Sequence, residues 1–181
     1  MAPIVPAHNA FPMNPPAPSL EALRAAAAAL CADPRMLALL QRLSGGQARS
    51  ARLAADDAGL AQALVQTGDA RAAVSQSFNL ALQWHRAARQ VAQARPAGAP
   101  HPQRWLELGS GHTHLARFLD PADASLALTA CDAEPSTREF VAQAFGTPVL
   151  PLPPLAEHFE PGQQFDVIWA PRFFAQLPLA Q

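Results

Sequence analysis

The sequence predicts an α/β protein in which an incomplete parallel sheet of about four strands follows an all-helical region. Two observations lead to this fold class. In the first half of the chain, apolar side chains recur every three or four positions, the spacing of helices that bury one face. In the second half, short apolar runs alternate with a glycine turn and with helical stretches, the order of elements in βαβ units.

The N-terminal arm, residues 1–18, contains six prolines, and no regular element tolerates that density. The first helix is predicted to begin after Ser19, which suits an N-cap. A second begins at Asp33, an N-cap that a first-turn proline follows. A third helix is predicted over about 48–66, and the longest over about 69–94.

A proline- and glycine-rich linker over 95–100 ends the helical region, residues 19–100, and precedes an α/β region, residues 101–181. The α/β region has a Rossmann-like order of elements. The predicted strands cover 104–108, 126–131, 148–150 and 166–170, and the predicted helices cover 113–119 and 135–145.

The second of these helices has two candidate starts. Glu134 is an N-cap before Pro135, or Ser136 and Glu139 form a capping box. Gly146 suits the left-handed residue that ends a helix.

The glycine turn after the first strand carries most of the functional information. Gly109 and Gly111 lie where a strand passes into a helix, and they let the backbone approach a nucleoside-type cofactor where a Cβ would collide. Asp132 ends the next strand and follows Gly111 by 21 residues. A βαβ unit of this kind expects about 20 residues between the turn and that acid. The glycine turn therefore predicts a nucleoside-type cofactor at this edge of the sheet.

The stretch ELGSGHT (107–113), together with Asp132 and FDVIWAPRFFAQLP (165–178), resembles class I S-adenosylmethionine-dependent methyltransferases that act on sugars or small metabolites. The resemblance implies S-adenosyl-L-methionine as cofactor and a small molecule or sugar as substrate. In that family the first acid orders the glycine loop, and the acid after the second strand holds the ribose. The residues implied to bind the cofactor are Glu107, Gly109, Ser110, Gly111, Asp132 and Asp166. No general base is identified, although His112 and Gln176 fall near the expected site.

Several residues depart from the family's pattern. Thr113 replaces a third glycine, and Gln176 stands where a histidine is usual. Leu152 and Pro153 occupy the place of an acid that binds the adenine amino group, and the nearest acid is Glu157. Adenine recognition is therefore expected to use a backbone contact or to be degraded.

Other kinds of site fit the turn less well. A nicotinamide dinucleotide enzyme would need its third glycine at His114, where an imidazole obstructs close helix–strand packing. His112 and His114 have no third metal ligand at a recognisable spacing, so no metal is expected. A tight strand-to-helix turn without a ligand remains an alternative.

The family's sheet has seven strands, whereas this sequence ends at Gln181, soon after the predicted fourth strand. We expect Val167, Ile168 and Trp169 to form an exposed apolar edge. Three interpretations stay open. The sequence is a fragment that is inactive without its missing C-terminal strands, or a partner protein pairs with that edge, or the domain is a non-catalytic binding module.

The composition excludes other classes of function. A net charge of −1 gives no basis for binding nucleic acid or an anionic membrane. The absence of lysine excludes a Schiff-base mechanism. No apolar run approaches the roughly 20 residues of a membrane span, and no signal peptide is recognisable. We therefore expect a cytoplasmic protein in which Cys31 and Cys131 are free thiols.

Overall fold

The computed structural model describes residues 17–54, 56–94, 98, 102–109, 115–119, 125–153 and 159–170. A helical region precedes a four-stranded, all-parallel sheet, which confirms the predicted α/β fold class. In chain order the elements are α1 (Leu20–Ala32), α2 (Pro34–Ser44), α3 (Ala58–Thr67), α4 (Ala70–Gln93), β1 (Gln103–Leu108), a 3-10 helix (Leu115–Arg117), β2 (Leu126–Asp132), α5 (Pro135–Phe145), β3 (Val149–Pro151) and β4 (Val167–Trp169).

Short polar side chains start the four helices of the front region. Ser19, Asp33, Asp57 and Asp69 immediately precede α1, α2, α3 and α4, and each accepts a hydrogen bond from a first-turn N–H group over 2.7–3.2 Å. These bonds satisfy donors that have no partner within the helix. The predicted starts of α1, α2 and α4 are confirmed.

The predicted third helix is wrong in its first half. Residues 48–54 are irregular, and α3 covers only the second half of the predicted range, 48–66. The carbonyls of Ser50 and Arg52 instead accept hydrogen bonds from Nη1 of Arg117, at 2.8 and 2.9 Å. A tertiary contact thus takes the place of helical hydrogen bonding in this segment.

The helix predicted over 113–119 also differs from the structure. Its described part is only the 3-10 helix, which closes with a bond from the Phe118 N–H to the Leu115 carbonyl over 3.0 Å. Residues 113 and 114 lie outside the described residues.

For α5, the structure selects one of the two predicted starts. Glu134 is the N-cap and Pro135 the first helical residue, although the Glu134 side chain makes no capping bond. The capping box of Ser136 is wrong, because α5 begins at Pro135 and Ser136 lies within the helix. Gly146 ends the helix with a φ of 66°, as predicted.

The strands are ordered β3-β2-β1-β4. In the register of the sheet, Leu108 of β1 pairs with Cys131 of β2, and Glu107 of β1 pairs with Trp169 of β4. Since side chains alternate along a strand, one face of the sheet carries Trp105, Glu107, Leu128, Ala130 and Trp169. This face is buried against α4, the 3-10 helix and α5, whose core residues are Ala88, Leu115, Ala116, Val141 and Phe145.

Helix α4 connects the helical region to the sheet. Phe78 and Leu82 belong to the core of the helical region, together with Phe118 from beyond the glycine turn. His85 stacks on Phe118 with ring centroids 4.7 Å apart. Trp84 meets Trp169 edge to face at 6.1 Å. The two regions therefore share contacts along one helix.

Both cysteines are free and buried, as predicted. Across the described parts of the chain, no helix is both long and apolar enough to cross a membrane.

Candidate functional site

The predicted nucleoside site lies where β1 and β2 end. Gly109 follows the last residue of β1 and has a φ of 57°, in the left-handed region that favours glycine. Its N–H donates to the Cys131 carbonyl at 2.8 Å, so the ladder between the strands continues to this point. Asp132 is the last residue of β2. The structure thus brings Gly109 and Asp132 to one edge of the sheet, the carboxyl edge at which parallel sheets bind ligands.

Glu107 ties β1 to the 3-10 helix that follows it in the chain. Its side chain is fully buried on the face that also carries Ala130, and its Oε1 accepts a hydrogen bond from the Leu115 N–H at 2.8 Å. The bond joins the end of β1 to the start of the 3-10 helix, across residues 109–114. Its other oxygen, Oε2, has no hydrogen-bond partner among the described residues.

Burial raises the pKa of Glu107 to about 8. The nearby charge of Asp132 raises it further, while the Leu115 N–H and the charge of Arg117 oppose the rise. A buried acid with a strongly shifted pKa beside a ligand-binding edge is typical of functional sites.

We expect the protein to lose stability between about pH 6.5 and pH 8. The folded chain keeps the Glu107 proton up to about pH 8, whereas the unfolded chain releases it near pH 4.5. The free energy of unfolding should therefore fall with rising pH, by up to about 1.4 kcal/mol per unit, or roughly 2 kcal/mol over this window. Between about pH 4 and pH 6.5 His85 opposes this loss of stability. Burial lowers the pKa of His85 to about 4, so in that range only the unfolded chain binds its proton.

Urea unfolding at several pH values measures this dependence. Glu107→Gln should flatten it between pH 6.5 and pH 8, because an amide still accepts from Leu115 but does not titrate. Glu139→Gln, the same change on the exposed side of α5, is the control and should leave the slope intact. An unchanged slope in Glu107→Gln would show that Glu107 is ionised in the folded protein at neutral pH.

Asp132 is half-buried and held in place by its neighbours. Its Oδ1 accepts a hydrogen bond from the Glu134 N–H at 2.9 Å. Its carbonyl accepts from the Leu152 N–H at 3.0 Å and from Nη1 of Arg138 at 3.1 Å. A carboxylate fixed in this way at a strand end is oriented before a ligand arrives, which lowers the entropic cost of binding.

A hollow of about 350 Å³ opens beside β3, on the Asp132 side of the sheet. It is lined by Leu150, Pro151, Pro153, Phe159, Glu160 and Pro161. Pro151 pairs in register with Asp132, so the hollow starts at the same strand ends as the candidate ribose site. Apolar walls with one carboxylate suit a flat ring that carries an amino group. Glu160 is exposed, and from the sequence alone it is interpreted as a cap or a surface charge.

Asp166 does not lie at this edge. It precedes β4, and its Oδ2 accepts from the Arg104 N–H at 2.7 Å while its own N–H donates to the Arg104 carbonyl at 2.8 Å. Arg104 lies near the start of β1, five residues before Gly109, which at about 3.3 Å per residue is some 16 Å away. The prediction that groups Asp166 with the cofactor residues is therefore corrected, since an acid before a parallel strand falls at the opposite edge.

Five other predicted residues lie outside the described residues, so their positions are not discussed: Ser110, Gly111, His112, Thr113 and Gln176. Glu157 also lies outside them. Within the described ranges, no group of three or more His, Cys, Asp or Glu side chains is arranged to hold a metal ion.

Two features near the site escaped sequence reasoning. Trp169 pairs in register with Glu107 and contacts Trp84 and Trp105, with centroids 6.1 and 6.0 Å apart, so the chain's three tryptophans form one cluster. Arg117 is fully buried just beyond Leu115. An apolar strand gives the only sequence signal for Trp169, and arginine is rarely expected in a core.

A scan of protein-family models finds none that matches the chain, and searches of curated proteins and of solved structures find no similar protein. The function is therefore argued from the site itself.

Proposed function

We propose that this chain binds S-adenosyl-L-methionine and belongs to a methyltransferase that acts on a small molecule or a sugar. One observation carries the proposal: Gly109 and Asp132 lie at the carboxyl ends of adjacent parallel strands, and a buried acid beside them, Glu107, binds the Leu115 N–H at the start of the 3-10 helix. The residues at this edge fit a nucleoside cofactor, because the backbone is accessible at a glycine and a carboxylate is fixed beside it.

Each part of the edge has a role in this proposal. The Asp132 carboxylate accepts hydrogen bonds from the two ribose hydroxyls. The adenine ring lies in the hollow beside β3, where Glu160 receives its amino group and replaces the acid that the family places after the third strand. The methionyl end passes over Gly109. Glu107 keeps the loop in place there, and a positively charged ligand favours its ionised form.

When bound, the cofactor supplies an electrophilic methyl group on a sulfonium sulfur, so the protein contributes mainly proximity and orientation. Trp169 ends β4 beside Glu107 and, with Trp84, forms an aromatic wall on which a planar or sugar acceptor packs. A cytoplasmic location is part of the same proposal, since buried free thiols are usual in reducing compartments.

Thermal unfolding with different nucleotides tests the class of cofactor. S-adenosylhomocysteine, the demethylated product, at about 100 times its dissociation constant adds about 2.7 kcal/mol of stability. For a chain of this size that raises the Tm by about 5–10 °C. NAD⁺ at the same concentration should leave the Tm unchanged. A shift with NAD⁺ and none with S-adenosylhomocysteine would favour the dinucleotide enzyme instead.

A second candidate function is a non-catalytic binding module. It is favoured by Ile168 of β4, which is 62% exposed on a strand that pairs only with β1 among the described strands. Such an edge suits addition of a strand from a partner protein. Light scattering of the purified chain tests this candidate, because a monomer that stays soluble at high concentration argues against an edge that requires a partner.

A further inference from the structure

Arg117 is the most buried cation of the described residues, and the proposed chemistry does not use it. Its exposed fraction is zero, and its guanidinium lies between two aromatic rings, 5.2 Å from the centroid of Phe78 and 5.4 Å from that of Phe145. One ring belongs to α4 and the other to α5. A guanidinium between two ring faces gains cation–π attraction, which is stronger where water is excluded.

The hydrogen bonds of Arg117 reach the helical region. Nη1 donates to the carbonyls of Ser50 and Arg52, and the Arg117 carbonyl accepts from the Arg49 N–H at 2.9 Å. Side chain and backbone of one residue therefore fix the irregular segment after α2. Nε and Nη2 have no hydrogen-bond partner within the described parts of the chain. The guanidinium is therefore held by the hydrogen bonds of one nitrogen, Nη1, and by the two rings.

Arg117 is also close to Glu107 through its own helix. It lies two residues after Leu115, whose N–H is bound by Glu107, within the same 3-10 helix. The ionisable groups near Arg117 are Cys31 of α1, Asp57 at the start of α3 and Glu107 in β1, whose ionised forms oppose the fall in its pKa. Burial lowers the pKa of Arg117 to about 10, so it remains charged at neutral pH.

We propose that Arg117 is a positioning residue for the 3-10 helix, and so for the Leu115 N–H that Glu107 binds, because it holds this helix to the segment over 49–52. The proposal deepens the function proposed above and rests on it for the identity of the ligand. Because Arg117 and Leu115 share one helical turn, displacement of the guanidinium moves the N–H group that bonds to Glu107. The helical region thereby positions Glu107 at the cofactor site without contacting the ligand.

Amide hydrogen exchange without any ligand tests the positioning role. Arg117→Lys keeps a positive charge but loses the planar guanidinium that donates to the carbonyls of Ser50 and Arg52. In this variant the Leu115 amide should exchange at least tenfold faster, relative to amides of β2 in the same sample. Arg49→Lys is the matched control. Arg49 also donates from Nη1 to two carbonyls, those of Leu119 and Phe145, each at 3.0 Å. However, Arg49 is exposed, and both carbonyls lie outside the 3-10 helix. It should leave Leu115 exchange unchanged.

The unaltered protein provides a second test that does not depend on a variant's folding. If Arg117 links the segment over 49–52 to the 3-10 helix, the amides of Arg49 and Leu115 open in one event. They then show equal opening free energies and equal dependence on denaturant. Separate openings, or equal acceleration of Leu115 by Arg117→Lys and Arg49→Lys, would overturn the positioning role. In addition, Arg117→Lys should weaken S-adenosylhomocysteine binding at least tenfold more than Arg49→Lys. Coupled exchange without binding in any form would refute the proposed ligand and leave the positioning role intact.

Discussion

Arg117→Met should lower the free energy of unfolding by about 1–3 kcal/mol, because it leaves the buried carbonyl of Ser50 without its donor. Methionine fills most of the volume between Phe78 and Phe145. It cannot donate to the carbonyls of Ser50 and Arg52. Burial already raises the pKa of Asp57, and loss of Arg117 takes away a charge that opposes this rise.

Urea unfolding of Arg117→Met and of Arg49→Met compares two residues that each donate to two carbonyls. Arg49→Met should lower the free energy of unfolding by about 1 kcal/mol or less, because Arg49 is exposed and water replaces its hydrogen bonds. Equal losses in the two variants would mean that burial of Arg117 contributes nothing beyond its hydrogen bonds.

Asp132→Ala should weaken S-adenosylhomocysteine binding by tenfold to a thousandfold. Charge-assisted hydrogen bonds from two ribose hydroxyls contribute about 1.5–3 kcal/mol each in favourable geometry, and about 1.4 kcal/mol corresponds to tenfold in affinity. Asp132→Asn should lose less, since its amide oxygen still accepts. Stability should fall by only about 1 kcal/mol in the alanine variant, the usual contribution of one hydrogen bond such as that from the Glu134 N–H.

Asp166→Ala is the matched control for this change. Like Asp132, Asp166 lies at one end of a strand, and its side chain accepts a hydrogen bond from a backbone N–H, that of Arg104, but at the other edge of the sheet. Calorimetry should show unchanged affinity in this variant. If Asp166→Ala weakens binding as much as Asp132→Ala, the ligand does not lie at the carboxyl edge of β1 and β2.

Local signals predicted the fold well because each one acts within a few residues. Ser19 and Asp33 start their helices through bonds to the first turn, and Gly146 ends α5 through its own φ. The strand patterns were equally local, and parallel pairing then brought Gly109 and Asp132 to one edge. These features follow from the chemistry of single residues and from the period of side chains.

Features that depend on distant partners could not be predicted in this way. The segment over 48–54 has helical composition, yet Arg117, more than sixty residues further on, takes two of its carbonyls. Asp166 looked like a site residue because it borders the FDVIWA strand, and only the register with β1 shows that it lies at the amino end. The closeness of Trp84 to Trp169 likewise depends on how α4 packs on the sheet.

Calorimetric titration of the unaltered chain with S-adenosylhomocysteine is the most direct test of the claim that this edge is a nucleoside cofactor site. We expect saturable binding of one ligand per chain, with a dissociation constant well below about 1 mM, the value that corresponds to roughly −4 kcal/mol. Binding should be lost or strongly weakened in Asp132→Ala and retained in Asp166→Ala. No binding up to millimolar ligand, or binding that Asp132→Ala leaves unchanged, would contradict the proposed site.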